Sequence, residues 1–195
     1  MSWFTDFRAD VAHYRRYDGV GAAREIAMQQ GLWALLQYRL AHATYRSQRL
    51  RGARRPLLVA LYAWRKLLEV TTGVCLPHTA TIGPGLYLNH YGPIILNKHA
   101  VVGENCDISN GVTIGVSGRG EQRGVPIVGS NVYIGPNATV AGKIRVGDGA
   151  RISANSLVIE DVPPGALVSG VPASVVILES RGADSHQRGV DALEL

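Results

Sequence analysis

Histidine supplies the side chains best suited to proton transfer in this 195-residue chain, which has six of them. His90, within the run Asn89-His90-Tyr91-Gly92, is the candidate catalytic residue, because a neutral imidazole can take a proton from an alcohol near neutral pH. An inert surface histidine is the alternative, and spacing alone leaves both interpretations open. No spacing of His, Cys and Asp resembles a set of metal ligands, so no metal site is expected.

Aliphatic side chains recur every six residues between positions 76 and 162, a period that fits neither an α-helix nor an alternating strand. The period predicts a mainly β fold, a left-handed parallel β-helix of hexapeptide repeats in which each hexad forms one side of a triangular coil. His90 follows one of these positions by two residues, so it is expected just off the core. The positions are Leu76, Ile82, Leu88, Ile94, Ala100, Cys106, Val112, Val128, Ile134, Val140, Val146, Ile152 and Val158.

Three hexads complete one turn, so residues 18 apart are expected to stack, with a second inward residue four positions after each aliphatic one. Glycines directly after the aliphatic residues, such as Gly83, Gly103 and Gly135, are expected at corners with unusual φ. The predicted stacks are Ile82 over Ala100, Leu88 over Cys106, Ile94 over Val112, Val128 under Val146, Ile134 under Ile152 and Val140 under Val158. The predicted second inward residues are Ala80, Gly92, Asn110, Val132, Ala138, Ile144, Ala150, Ser156 and Val162.

The two runs of hexads are out of phase, since Val112 and Val128 are 16 residues apart rather than 18. The segment 116–127 (VSGRGEQRGVPI) is therefore expected to leave the coil as a loop. Loops on rigid scaffolds often carry function, and this one is rich in Gly and Arg. A tolerated insertion is the alternative.

Composition divides the chain near residues 72–75. Residues 1–72 contain all three Trp and both Phe and carry a net charge of +7, whereas the remainder carries −2. Helical spacing of apolar residues in 5–16, in 22–45 and from Pro56 onwards predicts a small α-helical N-terminal domain over 1–72. A β-helix domain is expected over 73–177, followed by a polar tail over 178–195.

A basic cluster, Arg46 to Arg55, separates two of the predicted helices. It is interpreted as a solvated linker or as a contact with an anionic membrane, at about 1 kcal/mol per basic residue. No nucleic-acid-binding motif accompanies it, so nucleic acid is not an expected partner. We expect no secretory signal peptide, and the apolar run 57–64 is too short to span a bilayer. We expect a cytoplasmic protein, with the inner face of the membrane as a second location and with Cys75 and Cys106 reduced.

Four segments resemble the serine acetyltransferases and their relatives among the hexapeptide-repeat acyltransferases, over about residues 8–177. The resemblance implies an acetyl-CoA-dependent O-acetyltransferase in which His90 is the general base on the acceptor hydroxyl. The alkoxide would attack the acetyl thioester, with backbone N–H groups stabilising the oxyanion. The segments are FRADVAHYRRYDG, LWALLQYRLAH, TATIGPGLYLNHYGPIILNKHAVVGENCDISNGVTIG and ISANSLVIEDVPPGALVSGVPA.

The chain departs from the serine acetyltransferase pattern around this histidine. Asn89 stands where the family has an aspartate, Cys75 stands where a supporting aspartate is expected, and no histidine accompanies Arg123 in the loop. Asp18 matches another substrate carboxylate of the family when a small gap is allowed. Asn89, Asp18 and Arg123 are the candidate acceptor-binding residues.

The acceptor inferred from the sequence is a saccharide of surface or exopolysaccharide synthesis. The segments ILNKHAVVGENC and NGVTIG resemble acetyltransferases of those pathways. An amide beside the base also suits a polyhydroxyl acceptor, because it both donates and accepts hydrogen bonds. Serine O-acetylation in cysteine biosynthesis is the alternative, and a β-helix without catalytic activity is a third hypothesis.

The resemblance also implies where acetyl-CoA binds and how the chains assemble. A homotrimer, or a dimer of trimers, is expected, with the site between neighbouring rods. The pantetheine arm is expected along the backbone at Gly115, Ser117, Gly135, Pro136 and Ala154, with Arg151, Lys143 and Arg145 as candidate partners of the phosphates.

Overall fold

The computed structural model describes residues 2–18, 28–47, 52–90 and 92–176. It contains three described helices, α1 (Trp3–Asp18), α2 (Gln30–Arg46) and α3 (Arg54–Thr72), none of them long and apolar enough to cross a bilayer. α3 begins two residues before Pro56, and its Leu61 and Leu68 are buried. Ile26, Arg49 and Arg51, together with the predicted tail 178–195, lie outside the described residues.

Short strands follow the helices and wind into a parallel β-solenoid of about five turns, which confirms the predicted fold class. The described strands form three sheets, here called faces A, B and C, and only β15 runs antiparallel to its neighbour. Face A holds β1 (Val74–Cys75), β4 (Ile94–Leu96), β7 (Thr113–Gly115), β10 (Thr139–Ala141) and β13 (Leu157–Val158). Face B holds β2 (Thr81–Ile82), β5 (Val101–Val102), β8 (Ile127–Val128) and β11 (Arg145–Val146). Face C holds β3 (Tyr87–Asn89), β6 (Asp107–Ser109), β9 (Tyr133–Ile134), β12 (Arg151–Ile152), β14 (Leu167–Gly170) and β15 (Ala173–Val175).

In the first run of hexads the predicted register is wrong for the two stacks that span the bend 89–93. Leu88 pairs with Ile108, 20 residues later, rather than with Cys106. Two extra residues enter the bend 89–93, so the aliphatic positions after it shift by two. Ile82 therefore pairs with Val102 rather than with Ala100. Ile94 lies after the bend and keeps its predicted place opposite Val112, in the register that pairs Leu96 with Ile114.

The residues at the positions predicted from the six-residue period are still buried, because each hexad has two side chains that point inward. Ala100, Cys106 and Val112 occupy the smaller inward sites and are fully buried. Gly92 and Asn110, predicted to point inward, are only half-buried on the bends. The second run has no such shift, and its three predicted stacks are confirmed as Val128–Val146, Ile134–Ile152 and Val140–Val158.

The glycines that follow the aliphatic positions are needed because neighbouring coils approach closely there, and not because the backbone adopts an unusual φ. Gly83, Gly103 and Gly135 have no positive φ, so that part of the prediction is wrong. A Cβ on Gly83 would lie 2.7 Å from the backbone of Gly103 in the next coil, closer than any side chain tolerates. The left-handed corners instead hold other glycines, such as Gly85, Gly111 and Gly149, or asparagine, a residue type enriched in that conformation, at Asn105, Asn131, Asn137 and Asn155.

The predicted loop leaves the coil between β7 and β8. Ile114 pairs with Val140, 26 residues later, so eight residues more than one regular turn are accommodated here. Ser117 and Gly124 close the loop through mutual backbone hydrogen bonds of 3.2 and 3.1 Å. Ile127 already belongs to β8, so the loop ends one residue earlier than predicted.

A buried ion pair attaches the helices to the start of the solenoid. Asp10 of α1 accepts two hydrogen bonds of 2.9 Å from Arg39 of α2, and two more from the backbone N–H groups of residues 85–86. Arg39 donates in turn to the carbonyl oxygens of residues 82–83 at 2.7 Å. Because both side chains are almost completely buried, this network holds two helices and the first coil in one arrangement.

Replacing Arg39 by alanine is expected to lower the free energy of unfolding by about 3–5 kcal/mol, because Asp10 would remain as an uncompensated buried charge. Urea unfolding followed by circular dichroism measures the change. Arg15→Ala, an exposed position on α1, is the control and should change the free energy by less than about 0.5 kcal/mol. Equal effects in the two variants would contradict the proposed attachment.

Candidate active site

His90 lies at the bend where the solenoid first departs from its regular period. It directly follows β3, is exposed, and has a backbone φ of 63°. Histidine adopts this left-handed conformation more readily than most side chains. The extra residues of the bend thus place the imidazole outside the stacked coils, where an acceptor hydroxyl can reach it.

We call the line of bends that join face C to face A the His90 edge. Among its described residues, His90 is the only one with an ionisable side chain. A Cβ on Gly92 would lie 3.1 Å from the Cβ of Asn110, so that amide is the neighbour of the bend in the next coil. The other polar side chains among the described residues of this edge are therefore amides and hydroxyls. Its described residues are 89–90, 92–93, 110–112, 135–138 and 153–156.

Asn89 ends β3 and is half-buried opposite Ser109 of β6. Its side-chain oxygen accepts a hydrogen bond of 3.3 Å from the Tyr87 hydroxyl. The buried Ser109 hydroxyl has no hydrogen-bond partner among the described residues. The residue before the candidate base is therefore a neutral amide that is oriented by its own strand.

The thiol of Cys75 is held by a carboxylate that sequence reasoning missed. Cys75, in β1, donates to Glu69 Oε1 at 3.1 Å, and burial together with this hydrogen bond raises the pKa of Cys75 to about 11. Burial alone would raise the pKa of Glu69, but hydrogen bonds from Lys66 and Cys75 and the charge of Arg65 outweigh it and lower that pKa. A protonated thiol next to an ionised carboxylate thus stands where the resemblance implies an aspartate.

A signal for Glu69 was present in the sequence. Arg65 and Lys66 precede it by four and three residues, the spacing at which helical side chains form ion pairs, and Arg65 Nε lies 3.1 Å from Glu69 Oε1. What the sequence did not show is that the end of α3 turns back at Gly73 so that Glu69 meets β1.

We call the bends that join face A to face B the loop edge; they comprise residues 76–80, 97–100, 115–126 and 141–144. Gly115 lies opposite Ala141, and a Cβ on Gly115 would touch only the Thr113 methyl at 3.6 Å. Ser117 is exposed beside them. This strip of small residues leaves room beside the backbone for the linear pantetheine arm that the resemblance implies. Lys143 nearby is exposed and donates to the Glu121 carbonyl oxygen at 3.3 Å.

The predicted coenzyme residues do not form one cluster within a single chain. Gly135, Pro136 and Ala154 lie on the His90 edge, whereas Arg151 lies on face C with its guanidinium 5.2 Å from the Tyr133 ring centre. Face A, roughly 15–20 Å wide, separates the His90 edge from the loop edge. A molecule that touches both edges must cross this face or lie between two chains.

The candidate acceptor-binding residues also lie in different parts of the chain. Arg123 is exposed on the loop edge, directly after a short 3-10 helix, Gly120–Gln122. Asp18 is the last residue of α1, and its side chain lies outside the described part of the molecule. Near that end of α1, Tyr17 donates to Asp107 Oδ2 at 2.8 Å, so this carboxylate of face C serves helix packing.

Comparison with known proteins identifies the relatives of this fold and site. A family model described as bacterial transferase hexapeptide (six repeats) matches residues 126–160. The serine acetyltransferase of Mycobacterium tuberculosis is 36% identical over 174 residues, which are 88% of this chain and 72% of that protein. The crystal structure of Neisseria gonorrhoeae serine acetyltransferase in complex with serine has a TM-score of 0.73 and 33% identity, and the match covers 89% of this chain and 69% of that one.

The chain belongs to the serine acetyltransferase family of hexapeptide-repeat transferases. It is therefore an O-acetyltransferase. A serine acetyltransferase solved in complex with CoA matches with a TM-score of 0.75 and 27% identity over 89% of this chain and 69% of that one. Of the two acceptors considered from the sequence, the relatives favour serine over a saccharide.

Both described cysteines should react slowly with iodoacetamide at pH 8. Burial raises the pKa of Cys75 and of Cys106 to about 11, so the thiolate fraction is roughly 100-fold below that of an ordinary thiol. Alkylation followed by mass spectrometry measures the rates, and the protein unfolded in urea is the control in which both should react normally. A fast-reacting Cys75 in the folded protein would contradict the described thiol–carboxylate contact.

Proposed function

We propose that the protein acetylates the hydroxyl group of L-serine with acetyl-CoA in the cytoplasm, with His90 as the general base. Family membership supports this acceptor, because the relatives compared are serine acetyltransferases and one of them is bound to serine. The observation that carries the proposal is the exposed histidine at the bend that interrupts the hexad period.

In this reaction the imidazole of His90 takes the proton of the serine hydroxyl while the oxygen attacks the carbonyl carbon of the acetyl thioester. The tetrahedral intermediate collapses and its carbon–sulfur bond breaks. The proton held by the imidazole goes to the departing sulfur, so that O-acetylserine and CoA are released and His90 returns to its neutral form. A general base of this kind typically contributes 10²–10⁴-fold to the rate.

Recognition of serine needs groups for both charges of a zwitterion. Arg123 supplies a guanidinium for the carboxylate, an interaction that is strong when bidentate. Because Arg123 and His90 lie on different edges of one chain, we propose that the loop edge of one protomer faces the His90 edge of the next in a homotrimer, or in a dimer of trimers. In this arrangement Asp18 would supply the carboxylate that binds the ammonium group of serine.

The same arrangement brings together the two sets of coenzyme residues. Gly115 and Ser117 on one protomer would face Gly135, Pro136 and Ala154 on the other, so acetyl-CoA would bind along the groove between them. Lys143 and Arg145, both exposed near the loop edge, are better placed than Arg151 for its phosphates.

A saccharide hydroxyl is the second candidate acceptor, and one feature favours it. The described part of the His90 edge offers amide and hydroxyl groups but no carboxylate for an ammonium. Such groups suit the hydroxyls of a sugar, which also donate and accept hydrogen bonds.

In a thiol-release assay with acetyl-CoA and L-serine, His90→Ala is expected to lower the rate by roughly 10²–10⁴-fold, because the general base is lost. Glu104→Ala is the control, since Glu104 is also exposed on a bend of the solenoid but belongs to neither the His90 edge nor the loop edge. A panel of mono- and oligosaccharides is assayed in parallel. Full activity of His90→Ala would show that His90 is not the general base. Release of CoA with saccharides but not with serine would show that the acceptor is a saccharide.

Asn89→Asp is expected to lower KM for serine by up to about fivefold, because its carboxylate would pair with the ammonium group and surface ion pairs contribute about 0.2–1 kcal/mol. No improvement is expected with any saccharide. Asn137→Asp, on the same edge two coils away, is the control. An unchanged or higher KM for serine would show that the ammonium does not bind beside residue 89.

A further inference from the structure

The outward side of α3 carries an apolar stripe, which we define as Pro56, Val59, Ala63, Leu67 and Val70. These residues recur every three or four positions, so they lie on one side of the helix, opposite the buried Leu61 and Leu68. Val59, Leu67 and Val70 are 69%, 62% and 84% exposed. The stripe spans about 21 Å of helix, and nothing in the described chain covers it.

Basic groups accompany this stripe. Arg55 and Lys66 flank it on one side and are exposed. A hollow of about 350 Å³ opens at the N-terminal end of α3 and is lined by Tyr45, Arg54, Arg55, Leu58 and His78. No carboxylate lines this hollow, and its two guanidinium groups suit an anion such as a phosphate.

The geometry of the hollow is set by aromatic contacts. The Arg54 guanidinium lies 5.2 Å from the Tyr45 ring centre, and His78 packs edge-on against the same ring. Burial, then the nearby charge of Arg65, lowers the pKa of His78, so the charge of the hollow at neutral pH comes from the two arginines.

We propose that this side of α3 binds an anionic lipid membrane, with the apolar stripe at the acyl boundary and a lipid phosphate in the hollow. An amphipathic helix of this kind binds through buried apolar area and through attraction to anionic headgroups. The inference does not depend on which acceptor is acetylated.

A second copy of the chain fits the same surface less well. α3 carries four basic side chains against one acidic side chain, Glu69, so two copies side by side would repel each other. The stripe is a single row of five side chains along about 21 Å of helix, whereas a stable interface buries about 800 Å² on each partner. An anionic surface complements both the charge and the apolar residues.

Flotation of the full chain with vesicles tests the proposal. The protein should float with vesicles of phosphatidylcholine and phosphatidylglycerol but not with phosphatidylcholine alone. The triple variant Val59→Ser, Leu67→Ser, Val70→Ser should bind at least about tenfold more weakly, since the apolar contact is lost. Arg55→Gln should weaken binding about fivefold. Ile159→Ser with Val175→Ser on the solenoid, and Arg15→Gln on α1, are the matched controls at exposed positions and should bind normally.

Three results would overturn the proposal. Equal binding of the triple variant and its control would exclude the stripe. Equal flotation with neutral vesicles would exclude the basic groups. No flotation, combined with a smaller mass of the triple variant in sedimentation equilibrium, would assign the stripe to contacts between copies of this chain. Acetyl transfer measured on the same variants in solution should remain unchanged, which separates this outcome from any failure of the proposed acceptor.

Discussion

The stacking of parallel coils is the constraint on which the rest of this molecule depends. Each coil must present its backbone groups to the next one, so residues beyond the regular 18 have to leave the stack at a corner. The chain does this twice, at the bend 89–93 and at the loop 116–126. The first excursion exposes His90, and the second exposes Arg123. The residues proposed for chemistry thus lie where the repeat is interrupted.

The first coil of the solenoid has no coil below it, and the helices cover its open end. Backbone groups of residues 82–86 would otherwise face solvent, and the Asp10–Arg39 pair provides both acceptors and donors for them. The same docking leaves α3 with one side against β1 and the other side uncovered. The attachment of the N-terminal domain and the exposure of the apolar stripe therefore have one structural origin.

Charge around the proposed site is placed differently from what the family resemblance implies. Near β1, the ionised Glu69 is already engaged by Arg65, Lys66 and Cys75, so it serves the junction of α3 with the solenoid. Along the described residues of the His90 edge there is no carboxylate, lysine or arginine. Family membership and local chemistry therefore favour different acceptors, since the first favours serine and the second suits a sugar hydroxyl.

The sequence by itself determined the solenoid, because a six-residue period fits only a coil with short straight sides, and its motifs indicated His90 and the family. It did not determine the phase after Leu88. Ala100 and Cys106 are apolar and point inward in either frame, so hydrophobicity cannot distinguish a face from a corner. Hydrogen bonding between the coils determines which residues lie on a face and which lie at a corner. The same contacts between coils place Gly83 against the backbone of the next coil. The contact of Glu69 with Cys75 likewise came only from tertiary structure, since the direction in which α3 meets β1 leaves no periodic trace in the sequence.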